Sequence, residues 1–157
     1  MKLHLVSVGQ KMPAWVDMGY EEYAQRMPPE LKLQAKDIAL AKRTKTTDIR
    51  RAIDDEGQRM LDAIPKQAHV VALDVKGQSW STEKLATQLE SWMQLGQDVA
   101  FLVGGPDGLS DACMQRANQK WSLSALTYPH PLVRVILAEQ LYRAWSVVNN
   151  HPYHRAG

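Results

Sequence analysis

The chain has 157 residues, 45% hydrophobic and 23% charged, with a formal net charge of +2. This is the composition of one globular domain, able to bury roughly 70% of the surface its unfolded form exposes, and it excludes disorder. A single cysteine, Cys113, excludes an intrachain disulfide and a Cys-based metal cluster.

The opening "MKLHLVSVGQK" is too short an apolar run for a signal peptide, and nothing approaches the ~20 apolar residues of a membrane span. With the reducing setting that one free cysteine fits, a cytoplasmic protein is expected.

"KLHLVSVG" at 2–9 reads as a strand, followed by a helix from about Pro13 to Arg26 that Pro28 and Pro29 stop. "LKLQAKDIA" alternates at period two, as a less buried strand does. A helix begins near Thr47 or Asp48 and turns Ile49, Ala52, Ile53, Met60 and Leu61 inward, with Gly57 as its weak point. "HVVALDV" at 69–75 is a short apolar strand. "STEKLATQLESWMQLG" then starts at a Ser/Thr cap and ends at Gly96.

"DVAFLVGG" is apolar throughout, as a strand covered on both faces is. A short helix at 109–119 leads to the strand-like "WSLSALTY", and a long helix at roughly 131–149 precedes the tail "HPYHRAG". The alternation predicts one α/β domain over 1–157 with a mainly parallel sheet of five to six strands. The last helix is apolar on too many sides for docking on a sheet alone, since a ~100° stripe suffices. Its excess predicts a homodimer.

"FLVGGPDGLS" at 101–110 is a strand breaking into a glycine-rich turn, a common ligand position. It lacks the Lys and hydroxyl of a phosphate loop and the spacing of GxGxxG. A Rossmann-type methyltransferase fails too, because "VSVGQKMPAW" after the first strand offers Gly9 alone. Read alone, Gly104, Gly105 and Gly108 suit a tight strand-to-helix turn. The histidine spacings lack a supporting carboxylate or thiolate cluster, so no metal is implied. Between 36 and 51, Lys36, Lys42, Arg43, Lys45, Arg50 and Arg51 face only Asp37 and Asp48. That segment is either a solvated loop or a face for nucleic acid.

The turn is followed by "SLSALTYPHPLVRVILAEQLYRAWSVVNNHPYHR". GGPxGLS, then LSxxTxPHxLxR, then a terminal HPYHR resembles the signature of the rRNA large-subunit methyltransferase H (RlmH) family of the SPOUT superfamily. "EEYAQRMP" and "LDVKGQSWSTEKLA" extend the resemblance over nearly the whole chain. Pro131 stands where many members carry a Gln. The resemblance implies a C-terminal trefoil knot, S-adenosyl-L-methionine as cofactor and a homodimer with the cofactor site near its interface. It also implies methyl transfer to N3 of a pseudouridine in a 23S rRNA stem-loop within the ribosome. A SPOUT enzyme on another RNA and a non-catalytic ribosome-associated RNA binder are the alternatives.

In that family Leu73, Gly104 and the stretch Leu123, Ser124, Ala125, Leu126, Thr127 and Tyr128 line the cofactor pocket. Leu73 is expected to pack on the adenine, and Gly104 to let backbone approach the ligand. Substrate-binding candidates are His130, Arg134, His151, Tyr153, His154 and Arg155, with His154 the candidate catalytic base. His130 is equally suited to shaping the turn between Pro129 and Pro131. Arg143 has the spacing of a surface pair with Glu139. The tail is either a frayed terminus or a stacking and contact surface for RNA.

Overall fold

The computed structural model describes residues 1–9 and 11–156; Gln10 of the N-terminal string and Gly157 of the tail lie outside the described residues. Five strands alternate with five helices: β1 (Leu3–Val8), α1 (Ala14–Ala24), β2 (Leu33–Ile38), α2 (Ile49–Ala63), β3 (His69–Ser79), α3 (Thr82–Leu95), β4 (Val99–Val103), α4 (Asp111–Arg116), β5 (Gln119–Ser122) and α5 (His130–Val148). The strands form one sheet in the order β2-β1-β4-β3-β5, parallel at every pairing. Among the described residues, no helix is long and apolar enough to cross a membrane.

Both faces of the sheet are covered, as parallel strands require. Leu3, Leu5, Val71, Val99, Phe101 and Val103 enter one core with residues of α3 and α5. Their neighbours Val6, Val8, Val70, Ala100 and Leu102 enter a second with Met60 of α2 and Cys113 of α4. This is the period-two alternation of a strand read from both sides. β2, at the edge, is buried only at Leu33 and Ile38.

Local chemistry fixes the ends. Asp48, Ser81 and Ser110 cap α2, α3 and α4 by accepting from the amides of Arg50, Lys84 and Cys113. Asp98 staples β1 to the start of β4. It accepts from the Lys2 amide at 2.9 Å and holds the His4 ring at 2.9 Å. Burial alone would raise its pKa, yet these two hydrogen bonds hold it below the ordinary carboxylate value.

Several sequence expectations change. The strand expected at 69–75 runs on to Ser79, because it bulges: Trp121 pairs with Leu73 and again with Gln78. Gly77 permits this, since a Cβ there would lie 2.7 Å from the Lys120 carbonyl carbon. The strand expected at 121–128 ends at Ser122, and the helix expected at 109–119 shrinks to Asp111–Arg116. In α2, Ile49 is exposed while Glu56 and Gly57 are buried. Gly57 is no weak point: Ser110 and Cys113 pack where its side chain would be.

Phe101 is fully buried, with ring centroids 5.6 Å from Trp92 and 6.3 Å from Trp121. Phe101→Ala is expected to cost about 3–5 kcal/mol through lost burial and a residual cavity. Urea unfolding should show this as a lower midpoint at an unchanged slope.

Candidate functional site

A cleft of about 590 Å³ opens at the carboxyl ends of β3 and β4, where open parallel sheets bind ligands. One wall is Leu73, Asp74 and Val75, lifted outward by the β3 bulge. A second is the turn from Val103 to Leu109. Leu123, Ser124, Leu126, Thr127 and Tyr128, then Pro129, His130 and Val133 at the start of α5, complete it, with Met114 at the side.

The glycine turn closes on itself: the Gly108 amide donates to the Gly105 carbonyl at 3.1 Å. A Cβ on Gly104 would lie 2.6 Å from the Gly108 carbonyl carbon. The missing side chain at Gly104 is thus demanded by the turn's own backbone, whatever ligand the cleft accepts. In the 123–128 segment, the Ser124 hydroxyl accepts from the Leu126 amide at 3.0 Å and its carbonyl accepts from Ser122 Oγ at 3.0 Å. These short-range bonds fix a bend in the chain past the end of β5.

The donor set has a distinctive balance. Among the described residues lining the cleft there are two carboxylates, Asp74 and Asp107, and no Lys or Arg. A phosphate would find no counter-charge here. A nucleoside carrying positive charge would find apolar walls for its ring and the Asp74 carboxylate.

His130 lies in the cleft wall and next to Gly9, one helical turn before Arg134 on the same face of α5. Burial pushes its pKa below the ordinary imidazole value of 6.5, the Arg134 cation pushes it further, and Glu56 opposes weakly. The ring is therefore neutral at pH 7 and has a nitrogen free to accept. Arg134 itself is buried. Its Nη1 meets Asp37 Oδ1 at 2.6 Å and its Nη2 donates to the Gly9 carbonyl at 2.6 Å. The expected substrate cation is here committed to the fold, joining α5 to the ends of β1 and β2.

The tail is ordered. The His151 amide donates to the Ser146 carbonyl at 2.8 Å, turning the chain back into a 3-10 segment, Pro152–Ala156. The Tyr153 ring lies 4.7 Å from that of Tyr142 and its hydroxyl donates to Glu139 Oε2 at 2.9 Å. Arg143, paired with Glu139 at 2.9 Å as its spacing suggests, stacks over Tyr153 at 5.0 Å. A frayed terminus is excluded. His151 and Arg155 stay exposed, and His154 Nδ1 is buried without a hydrogen-bond partner. The tail folds back along the second half of α5 as far as Glu139, the helix midpoint, and none of its described residues lines the cleft.

The family described as "Predicted SPOUT methyltransferase" matches residues 1–154. The ribosomal RNA large subunit methyltransferase H of Methylococcus capsulatus is 62% identical over 99% of this chain and all of its own length. Its counterpart in Thioalkalivibrio sulfidiphilus is 59% identical over 99% of both chains. The chain belongs to the SPOUT methyltransferases, in the large subunit methyltransferase H family. A solved structure of a probable methylase family protein from Haemophilus influenzae shares the fold alone. It has a TM-score of 0.55 at 12% identity, covering 98% of this chain and 69% of that one.

The family strings map onto one end of the sheet. GGPDGLS is the turn after β4, and LSALTYPH is the bent wall that leads into α5. Of the residues expected to hold cofactor, Leu73, Gly104, Leu123, Ser124, Leu126, Thr127 and Tyr128 line the cleft, while Ala125 is exposed outside its wall. Of the substrate candidates, His130 alone joins them. Asp74, Val75 and Asp107 escaped the sequence reading, although Gly77 inside "LDVKGQS" is the mark of a bulge that would have exposed the first two.

The His130 environment has a measurable consequence. Its NMR titration midpoint should fall below 6.5. The unfolded chain gains this proton near pH 6.5 and the folded chain only at lower pH, so the group destabilises the fold as pH drops below 6.5. His130→Phe should remove that part of the acid sensitivity.

Proposed function

We propose that this protein uses S-adenosylmethionine to methylate N3 of a pseudouridine in a 23S rRNA stem-loop, acting on the ribosome as a cytoplasmic homodimer. The observation that carries the cofactor assignment is the cleft, with its apolar walls, its two carboxylates and no Lys or Arg among the described lining residues. The cofactor supplies an electrophilic methyl group on a positively charged sulfur. Leu73, Val103 and Leu123 would hold the adenine by apolar contact, the 123–128 main chain its polar edge, and Asp74 the positive charge.

The remaining work falls to side chains that handle RNA. The N3 proton must leave as the methyl arrives, so a neutral base or a cation beside the forming anion is needed. His130 is neutral and in the wall; His154 carries a buried, unpartnered nitrogen but lies in the tail, which lines no part of its own chain's cleft. A second copy would bring such a tail to the cleft. Trp15 and Met18 of α1, 56% and 72% exposed, and the half-buried Leu132 and Ile136 of α5 leave apolar surface for a partner. Covering this face with an antiparallel partner would bring each tail to the other copy's cleft. In this arrangement His154 acts as the base, while His151, Tyr153 and Arg155 hold the nucleotide. Arg134 orients the start of α5. The trefoil knot implied by the family belongs to the same proposal.

Calorimetry should show S-adenosylmethionine binding without added metal; absence of heat would sink the cofactor assignment. Deleting residues 151–157 should leave that affinity within about threefold while methyl transfer to ribosomes falls by roughly 10²–10⁴-fold. His154→Ala should reproduce the loss and recover in part at high pH, where the N3 proton leaves unaided. Wild-type methylation by the truncated protein would move the base to His130.

A further inference from the structure

Glu56 occupies the inward face of α2 among Ala52, Gly57 and Met60, with only 2% of its surface exposed. A carboxylate there is strongly unfavourable unless fully partnered. It has its partners: Arg43 Nη1 at 2.6 Å and Nη2 at 3.2 Å as a fork, and the Ala41 amide at 3.0 Å. Arg43 Nη1 also donates to the Ala41 carbonyl at 2.9 Å, which fixes the plane of the guanidinium. Its Nε edge is then left pointing outward, and it donates to Asp107 Oδ2 at 2.8 Å.

Asp107 stands at the tip of the glycine turn, between Pro106 and Gly108. Gly108 has φ +84, and a side chain there would meet nothing within 4 Å, so the outer side of the tip is open. The turn's own closure, Gly108 to Gly105, fixes its shape but not its position over the cleft. Arg43 lines no part of the cleft, yet it ties the tip to a buried anion in α2. It is thus set apart from Lys42 and Lys45 beside it, which are exposed.

We propose that Arg43 is a positioning residue for the cofactor loop, holding Gly104–Gly108 over the cleft by clamping Asp107 to the buried Glu56. The inference rests on the cofactor reading of the cleft. Lysine at position 43 keeps a charge on Glu56 but lacks the second, divergent N–H that reaches Asp107. The fold is therefore retained and the clamp released.

The test is a double-mutant cycle on the full chain with Arg43→Lys, Asp107→Asn and both together. It is read by calorimetry with S-adenosylmethionine and by amide hydrogen exchange over 105–109. Each single variant should weaken cofactor binding roughly tenfold, the scale of one charge-assisted hydrogen bond. Exchange in the turn should rise in both, and the double variant should be no worse than either single. Additive losses would make Asp107 a direct ligand contact and overturn the clamp. So would an Arg43→Lys protein with wild-type affinity and wild-type exchange. If Arg43→Lys lowers the melting temperature, Asp107→Asn, on the exposed side of the pair, still tests the link through exchange. A wild-type protein that takes up no cofactor overturns the cofactor reading, and the exchange data then show separately whether the clamp exists.

Discussion

The buried guanidinium of Arg134 is the interaction on which the arrangement of the cleft depends. A desolvated cation costs several kcal/mol unless its partners are in place. Those partners, Asp37 at the end of β2 and the Gly9 carbonyl just past β1, lie 97 and 125 residues away in sequence. Such a pair contributes little net stability over an apolar isostere, but its geometry admits few alternatives. It pins the first turn of α5 against the carboxyl end of the sheet. His130, one turn earlier, is placed in the cleft wall by the same constraint, and the Arg134 charge helps to keep its ring neutral.

The fold was largely legible because its signals are local. β1, β4 and the caps at Asp48, Ser81 and Ser110 follow from apolar runs and polar residues at the right offsets. The errors share a cause, which is that pairing overrides pattern. "WSLSALTY" alternates as a strand does, but only its first two residues find a partner, since β3 ends at Ser79 opposite Ser122 and leaves the following segment to form a wall of the cleft. Gly104 shows the converse. Its place in the cleft was legible, whereas the reason for its missing side chain required the return of Gly108 across it.

Charge was least legible. Between 36 and 51 the sequence presents six cations as one basic segment. The fold divides them. Arg43 is drawn inward by Glu56, 13 residues on, while Lys42, Lys45, Arg50 and Arg51 remain exposed. Glu56 was hidden for the same reason: an apolar stripe that includes a Glu reads as interrupted until the cation that neutralises it is located. Arg134 likewise reads as a helix-surface cation, and only the approach of Asp37 and Gly9 makes it a strut.

The α5 helix separates two chemistries. At its start are the cleft and a neutral imidazole; at its end are a ring cluster and the exposed His151 and Arg155. Glu139, at the midpoint of the helix, anchors Tyr153 and Arg143 together, so the tail is folded back and held along the second half of α5. Within one chain the described tail residues line no part of the cleft. Trp15 and Met18 of α1 are exposed, and Leu132 and Ile136 of α5 are only half-buried. In the proposed dimer an antiparallel partner covers this surface and lays the end of one helix along the start of the other. Dimerisation there would set the register between tail and cleft, and a shift of one helical turn, about 5.4 Å, would carry His154 out of reach of the reacting atom.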